Sequence, residues 1–300
     1  MLIGAHVSLA GGLPKAIERG ADRGCRAIQI FNQSPRRWQP TSHVEEELGA
    51  FREAMAASSI EAVLVHTVYL LNCASEDPDI RAKSLTSLTH SLRVGEQIGA
   101  AGVVLHPGSA KSGEVQGAIG RAGATIREAL DESERCPLQL ENTAGAGGTL
   151  GRSLDELAEL LAAAGGGQRL GLCLDSCHLF ASGYDIRTPA GIDGLLLEVG
   201  AKVGLGRIRS LHLNDCETQL GSNRDRHANV GEGQLGEAGC ATFLAAPAFD
   251  GLPCVLETPG ENRSGASGEE VALAVRLRQR GIAQRRRRRR ASATRSASTP

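Results

Sequence analysis

Eight short apolar runs, rich in β-branched residues, recur along the chain: Leu2–His6, Ala27–Phe31, Ala62–His66, Gly102–His106, Pro137–Glu141, Leu170–Asp175, Ile208–His212 and Pro253–Glu257. All but the second end on a polar residue. Their ends are spaced 25, 35, 40, 35, 34, 37 and 45 residues apart, which leaves room between successive strands for a loop, a helix and a second loop. The intervening segments have the matching period. Ser153 followed by Glu156 reads as a capping box before the apolar stripe Leu154, Leu157, Leu160 and Leu161, and Ile119, Ala122, Ile126 and Leu130 mark another helix. Eight strand–helix units of this size predict a (β/α)8 TIM barrel, a fold that gathers its chemistry at the C-terminal ends of the strands.

The pattern stops near residue 282, so a single barrel over residues 1–282 is expected, followed by an Arg-rich tail, 283–300, read as disordered from its like-charged run and its Ser/Thr/Ala/Pro composition. Ten of the 33 basic residues lie after residue 275, where there is no Asp or Glu, leaving 23 basic against 34 acidic residues and a net charge of −11 over residues 1–275. An acidic body is a poor generic binder of nucleic acid, so any such function must rest on local positive charge or bound cations. The first residues lack a charged n-region and a long apolar run, and no window reaches the roughly 18 apolar residues of a membrane span. A soluble, cytoplasmic protein is the expectation. The eight cysteines include no C-x-x-C pair, and Cys173, Cys177 and Cys254 sit in or beside apolar runs, so they read as reduced core thiols.

Imidazoles and carboxylates collect at the predicted catalytic face. His66, His106, Glu141, Asp175, His212 and Glu257 come from strand ends, and His178, Asp225 and His227 from the loops just beyond. A lone strand-end histidine is more often structural than functional. Four unpaired carboxylates converging with five imidazoles are a different case, because their mutual repulsion costs several kcal/mol that divalent cations remove. Histidine and carboxylate without thiolate suit zinc, and also iron or manganese, rather than magnesium or calcium. Nine ligands are enough for two or three ions sharing a bridging carboxylate, an arrangement suited to phosphate-ester hydrolysis. Of the other three histidines, His6 reads as a supporting group and His43 and His90 as surface residues.

The motifs GAHVS (4–8), HPGS (106–109), ENTAG (141–145), LDSCH (174–178), LHLND (211–215), GSNRDRH (221–227), GEG (231–233) and LETPG (256–260) together resemble, in order and spacing, the endonuclease IV family of apurinic/apyrimidinic endonucleases. The resemblance covers about residues 1–282. It implies three zinc ions and hydrolysis of the phosphodiester 5′ to an abasic site in double-stranded DNA, leaving a 3′-hydroxyl and a 5′-deoxyribose phosphate, by a protein acting as a monomer. It also implies that His66, His106 and Glu141 hold one zinc, that Asp175, His212 and Glu257 hold a second bridged to the first by the catalytic Glu141, and that His178, Asp225 and His227 hold the third. By the same resemblance Arg36, in NQSPRRW, and Tyr69 with Leu70 are the side chains inserted into the DNA at the lesion. The basic tail has no counterpart in the family pattern. A metal-dependent sugar isomerase or epimerase on a related barrel would also place Glu141 and Glu257 at strand ends, but it leaves His178, Asp225 and His227 without a task.

Overall fold

The computed structural model describes residues 1–111 and 113–297. Strands β1 (Leu2–His6), β2 (Ala27–Phe31), β3 (Ala62–His66), β4 (Gly102–Leu105), β5 (Leu138–Glu141), β6 (Leu170–Asp175) and β7 (Ile208–His212) are followed by a small hairpin, β8 (Asp215–Cys216) with β9 (His227–Ala228), and by β10 (Pro253–Leu256). The eight long strands close into a parallel barrel in the order β1-β10-β7-β6-β5-β4-β3-β2. Around it run α1 (Leu13–Asp22), α2 (Glu45–Ala56), α3 (Pro78–Gln97), α4 (Val115–Asp131), α5 (Leu154–Ala163), α6 (Ser176–Ala181), α7 (Pro189–Lys202), α8 (Gly236–Leu244) and α9 (Gly268–Ala297). This is the TIM barrel expected from the repeat. Among the described residues no helix is long and apolar enough to cross a membrane, and all eight cysteines are buried and unpaired.

Strand parity explains where the chemistry goes. Alternate residues of a strand face opposite sides, so Val63 and Val65, Val103 and Leu105, Leu138 and Leu140, and Leu172 and Leu174 join the large core under the helices. The other parity, Ala27, Ala62, Leu64, Val104, Cys173 and Val255, forms a separate cluster that fills the barrel interior. Two residues beyond Leu64, Val104, Cys173 and Val255 on that inward parity stand His66, His106, Asp175 and Glu257. Glu141 and His212 follow buried Gln139 and Ser210 in the same way. One alternation therefore supplies both an apolar plug and the polar ring above it.

Two details differ from expectation. Ser153 Oγ accepts from Glu156 N at 3.2 Å, but the Glu156 carboxylate accepts from Gly151 N and Arg152 N; only half of the reciprocal box forms, and Glu156 instead tightens the approach to α5. The second difference is at the C-terminus. Residues 283–297 belong to α9, which is continuous from Gly268 to Ala297, rather than to a disordered tail beginning at 283; residues 298–300 lie outside the described residues. Arginine is a strong helix former, and an already packed helix removes the cost of nucleation. Gly281 packs so tightly on α8 that a Cβ there would lie 2.1 Å from the Ala241 carbonyl oxygen.

Candidate metal centre

A cleft of about 910 Å³ opens at the C-terminal ends of the strands, lined by His6, Phe31, His66, His106, His227 and Glu257 among others. Glu141, Asp175 and His212 form its fully buried floor. Glu141 stands at the centre. Its Oε2 lies 3.1 Å from His106 Nε2 and 3.3 Å from His66 Nε2, and its Oε1 lies 2.9 Å from His212 Nδ1 and 3.3 Å from His178 Nδ1. Asp225 bridges His178 Nε2 and His227 Nε2 at 3.3 Å each. The side chains close enough to share an ion fall into groups of His66, His106 and Glu141; of Glu141, Asp175, His212 and Glu257; and of His178, Asp225 and His227, with Glu141 common to the first two. All nine residues named from the sequence are thus brought together. A further combination of Asp175, Cys177 and His227 is chemically poorer, because the hydrogen bond with Cys216, followed by burial, raises the Cys177 thiol far above its ordinary range and disfavours the thiolate.

Donor chemistry favours cations here. His178 Nδ1 donates to the Asn142 carbonyl at 3.0 Å and His227 Nδ1 to the Glu257 carbonyl at 3.3 Å. With those protons placed, the two Nε2 atoms face each other across 3.3 Å, and as neutral acceptors they repel unless a proton or a metal stands between them. The titration of the ring points the same way. Burial alone would raise the Glu141 carboxyl, but His106 and His212 overcome it and hold Glu141 well below its usual range. Burial likewise opposes charge on His178, yet Asp175, Asp225 and Glu141 lift it well above the ordinary imidazole value. Asp225 is held down at about 2 by His178 and the neighbouring histidines against its burial. Ionised carboxylates surround imidazoles that take up protons, and divalent ions can replace those protons as the positive charge.

Supporting residues, none of them assigned a role from the sequence, fix these ligands. Asn142 Oδ1 accepts Asp175 N at 2.7 Å, and Asn214 donates to Asp175 Oδ2 at 2.5 Å while accepting Glu257 N at 2.8 Å. Buried Asp215 accepts four backbone N–H groups, from Cys216, Gly231, Leu235 and Gly236, at 2.8–3.1 Å, and so ties down the β8–β9 hairpin that carries Asp225 and His227. This explains the GEG motif: a Cβ on Gly233 would stand 2.5 Å from Asp215 Oδ1. The available signal was adjacency, since Asn142 follows one ligand and Asn214 and Asp215 follow another.

His6 acts as expected beside the ligands, its Nδ1 accepting from Gln29 Nε2 at 3.2 Å; burial first, and nearby imidazoles, depress it to about 4 despite Glu257. His43 is not a surface residue: its side chain is 5% exposed and bonds Glu47 and the Asn32 carbonyl. His90 is partly buried. At the rim, the Tyr69 side chain is exposed, its ring 5.1 Å from Phe31, and its backbone N–H donates to the Pro35 carbonyl at 3.2 Å. That bond joins its loop to the one holding exposed Arg36; Leu70 is partly buried.

Residues 17–279 match the model of a family described as xylose isomerase-like TIM barrel. The "Probable endonuclease 4" of Symbiobacterium thermophilum is 40% identical over 281 residues, spanning 93% of this chain and all of that protein. The chain belongs to the endonuclease IV family. Its likeness to the "Probable endonuclease 4" of Methanoculleus marisnigri is 38% over 270 residues, 89% of this chain and 96% of that one. The crystal structure of endonuclease IV from Thermus thermophilus superposes with a TM-score of 0.81 at 34% identity, covering 95% of this chain and 100% of its own. The barrel match gives the fold, and the chemistry has to be argued from the residues of the site.

Proposed function

We propose that this protein is a metal-dependent DNA-repair endonuclease that hydrolyses the phosphodiester 5′ to an abasic site in double-stranded DNA, leaving a 3′-hydroxyl and a 5′-deoxyribose phosphate. The observation that carries this reading is the shared position of Glu141, which belongs to two adjoining ligand groups while a third, His178 with Asp225 and His227, opens onto the same cleft. His66, His106 and Glu141 would hold one zinc, Asp175, His212 and Glu257 with Glu141 a second, and His178, Asp225 and His227 the third; manganese or iron fits the same donors. When bound, such ions supply Lewis acidity at a phosphate and acidify water.

The chain's own residues do the rest. Glu141 holds two ligand groups in fixed relation, Asp175 and Glu257 are aimed by Asn142 and Asn214, and the Asp215 clamp sets the height of Asp225 and His227 over the cleft. Three divalent ions against four carboxylates leave a net charge of about +2, placed where a phosphate docks on an otherwise acidic body. Tyr69 and Leu70, with the Arg36 guanidinium alongside, fill the gap left by the missing base. The test is incision of a duplex oligonucleotide carrying one abasic-site analogue, before and after chelation. Incision 5′ to the lesion that chelation abolishes and metal restores is expected; an intact lesion strand at full metal occupancy would overturn the assignment.

A further inference from the structure

The other strongly charged element lies on α9. This helix starts at the metal end of the barrel, where Glu270 accepts from Thr258 Oγ1 and from Val230 N at 2.8 Å each. It finishes at the other end. Arg278 Nη2 meets Asp250 Oδ1 at 2.6 Å, and Arg285 Nη1 donates to the Ala245 carbonyl at 2.6 Å; Ala245 and Asp250 belong to the connection that enters β10 from its N-terminal side. At about 1.5 Å per residue, Arg286 to Arg290 stand roughly 24–30 Å from Glu270 along the axis, beyond the barrel face opposite the ligand cluster. All five are exposed. Nearby, Asp250 and Glu237 bond Arg278 and Arg280, and Arg285, Arg288 and Arg289 line a cleft shared with Ile192 and Asp193 of α7.

We infer that the arginine block of α9 is a second nucleic-acid site, binding the phosphate backbone of duplex DNA without regard to lesion or sequence, so that one molecule holds two separate duplex segments. The inference takes from the proposed function only that the cleft receives duplex DNA. Gly281 and Arg285 pack against α8 and the connection after it, and Arg288 and Arg289 flank the cleft toward α7, so the run presents guanidinium groups over the remaining, outward arc of a helix with about 3.6 residues per turn. An acidic membrane surface is matched by a helix with one apolar face, which this segment lacks. A helix about 10–12 Å across with its outward arc in the roughly 12 Å wide major groove meets rows of phosphates on both flanks. The intervening barrel and the stiffness of DNA over about 150 base pairs prevent one short duplex from reaching both sites.

Replacing Arg286 to Arg290 together by glutamine keeps helix propensity and removes five charges; a second variant with lysine at the same positions keeps the charge. Binding of an undamaged 20-base-pair duplex to the metal-loaded proteins is measured against salt. The parent and lysine variant are expected to bind two duplexes per molecule at low salt. The glutamine variant should bind one, with a log–log salt slope shallower by about 4, from about 0.9 per phosphate contact. Metal content, unfolding midpoint and single-turnover incision at saturating abasic substrate should be equal in all three. Equal slopes and one duplex per molecule in the parent and the glutamine variant would overturn the inference, as would loss of the second duplex in the lysine variant. Absence of incision in every protein would instead remove the proposed activity, while slope and stoichiometry still decide the second site.

Discussion

Gln29 Oε1 accepts the Nε2–H of His212 at 2.9 Å, deep in the barrel, and so commits the opposite ring nitrogen, Nδ1, to the carboxylates of Glu141 and Glu257. The same amide donates to Glu257 Oε1 at 2.6 Å, which settles its orientation, since only the nitrogen end can face that oxygen. His66, His178 and His227 bond backbone carbonyls through Nδ1 and present Nε2. Only His212, among these four, presents Nδ1. Gln29→Leu is expected to weaken metal binding by roughly 10- to 100-fold, the usual effect of removing a residue that orients a ligand. Chelator competition on the purified variant measures this, and parent-like affinity would make Gln29 a spacer only.

Glu141→Gln should fold and bind abasic duplex but cut it at least about 100-fold more slowly. The amide keeps the shape, but it puts a donor where the carboxylate faces imidazole nitrogens on both sides. Single-turnover kinetics at verified metal occupancy decide the point; a rate within a few-fold of the parent would remove the bridging role.

Tyr69→Ala combined with Leu70→Ala should reduce the preference for abasic over intact duplex while bound metal stays unchanged. Tyr69 is 68% exposed, so its removal costs little stability, within about 0.5 kcal/mol. Elemental analysis and competition binding are read together: if metal is lost from the double variant, the loop supports His66 and does not read the lesion.

Glu47 on α2 does the capping that Gly12 has no side chain to do, accepting Leu13 N at 3.0 Å and bonding His43 Nδ1 at 2.9 Å. The Leu13 bond, aided by His43 and opposed by burial, holds its carboxyl below the ordinary value. The folded-state value therefore lies below the unfolded one, so this stabilisation is fully present above about pH 4.3 and is lost as pH falls through the folded value. Glu47→Gln should cost about 0.5–1.5 kcal/mol near pH 7, with the gap to the parent narrowing in acid. Urea unfolding of both proteins is compared pH by pH, because acid strips metal from both and only the difference reports Glu47; a gap that does not narrow would assign the loss to packing.

The number of barrel strands and the six ligand candidates at strand ends were legible from residue order alone, although β4, β5 and β10 are each one residue shorter than read and the segment with Asp225 and His227, read as a loop, contains the β8–β9 hairpin. Side chains alternate along a strand with a period of two, so a polar residue ending an apolar run already has its face assigned, and eight regular repeats leave a closed barrel as the way to bury them all. The order of the residues did not contain the partners of those groups. Gln29 and His212 are 183 positions apart, and only barrel closure makes them neighbours and selects which imidazole nitrogen faces the carboxylates. Asn142, Asn214 and Asp215 read as loop residues until the backbone groups they satisfy are in place around them. His43 read as surface because its shelter comes from Asn32 and Glu47 on other elements. The arginine run likewise read as disordered, from a composition in which like charges repel. Packing decided otherwise: Gly281 seats α9 on α8, the helix is already nucleated when it reaches Arg285, and its direction carries the charge to the face away from the metal centre.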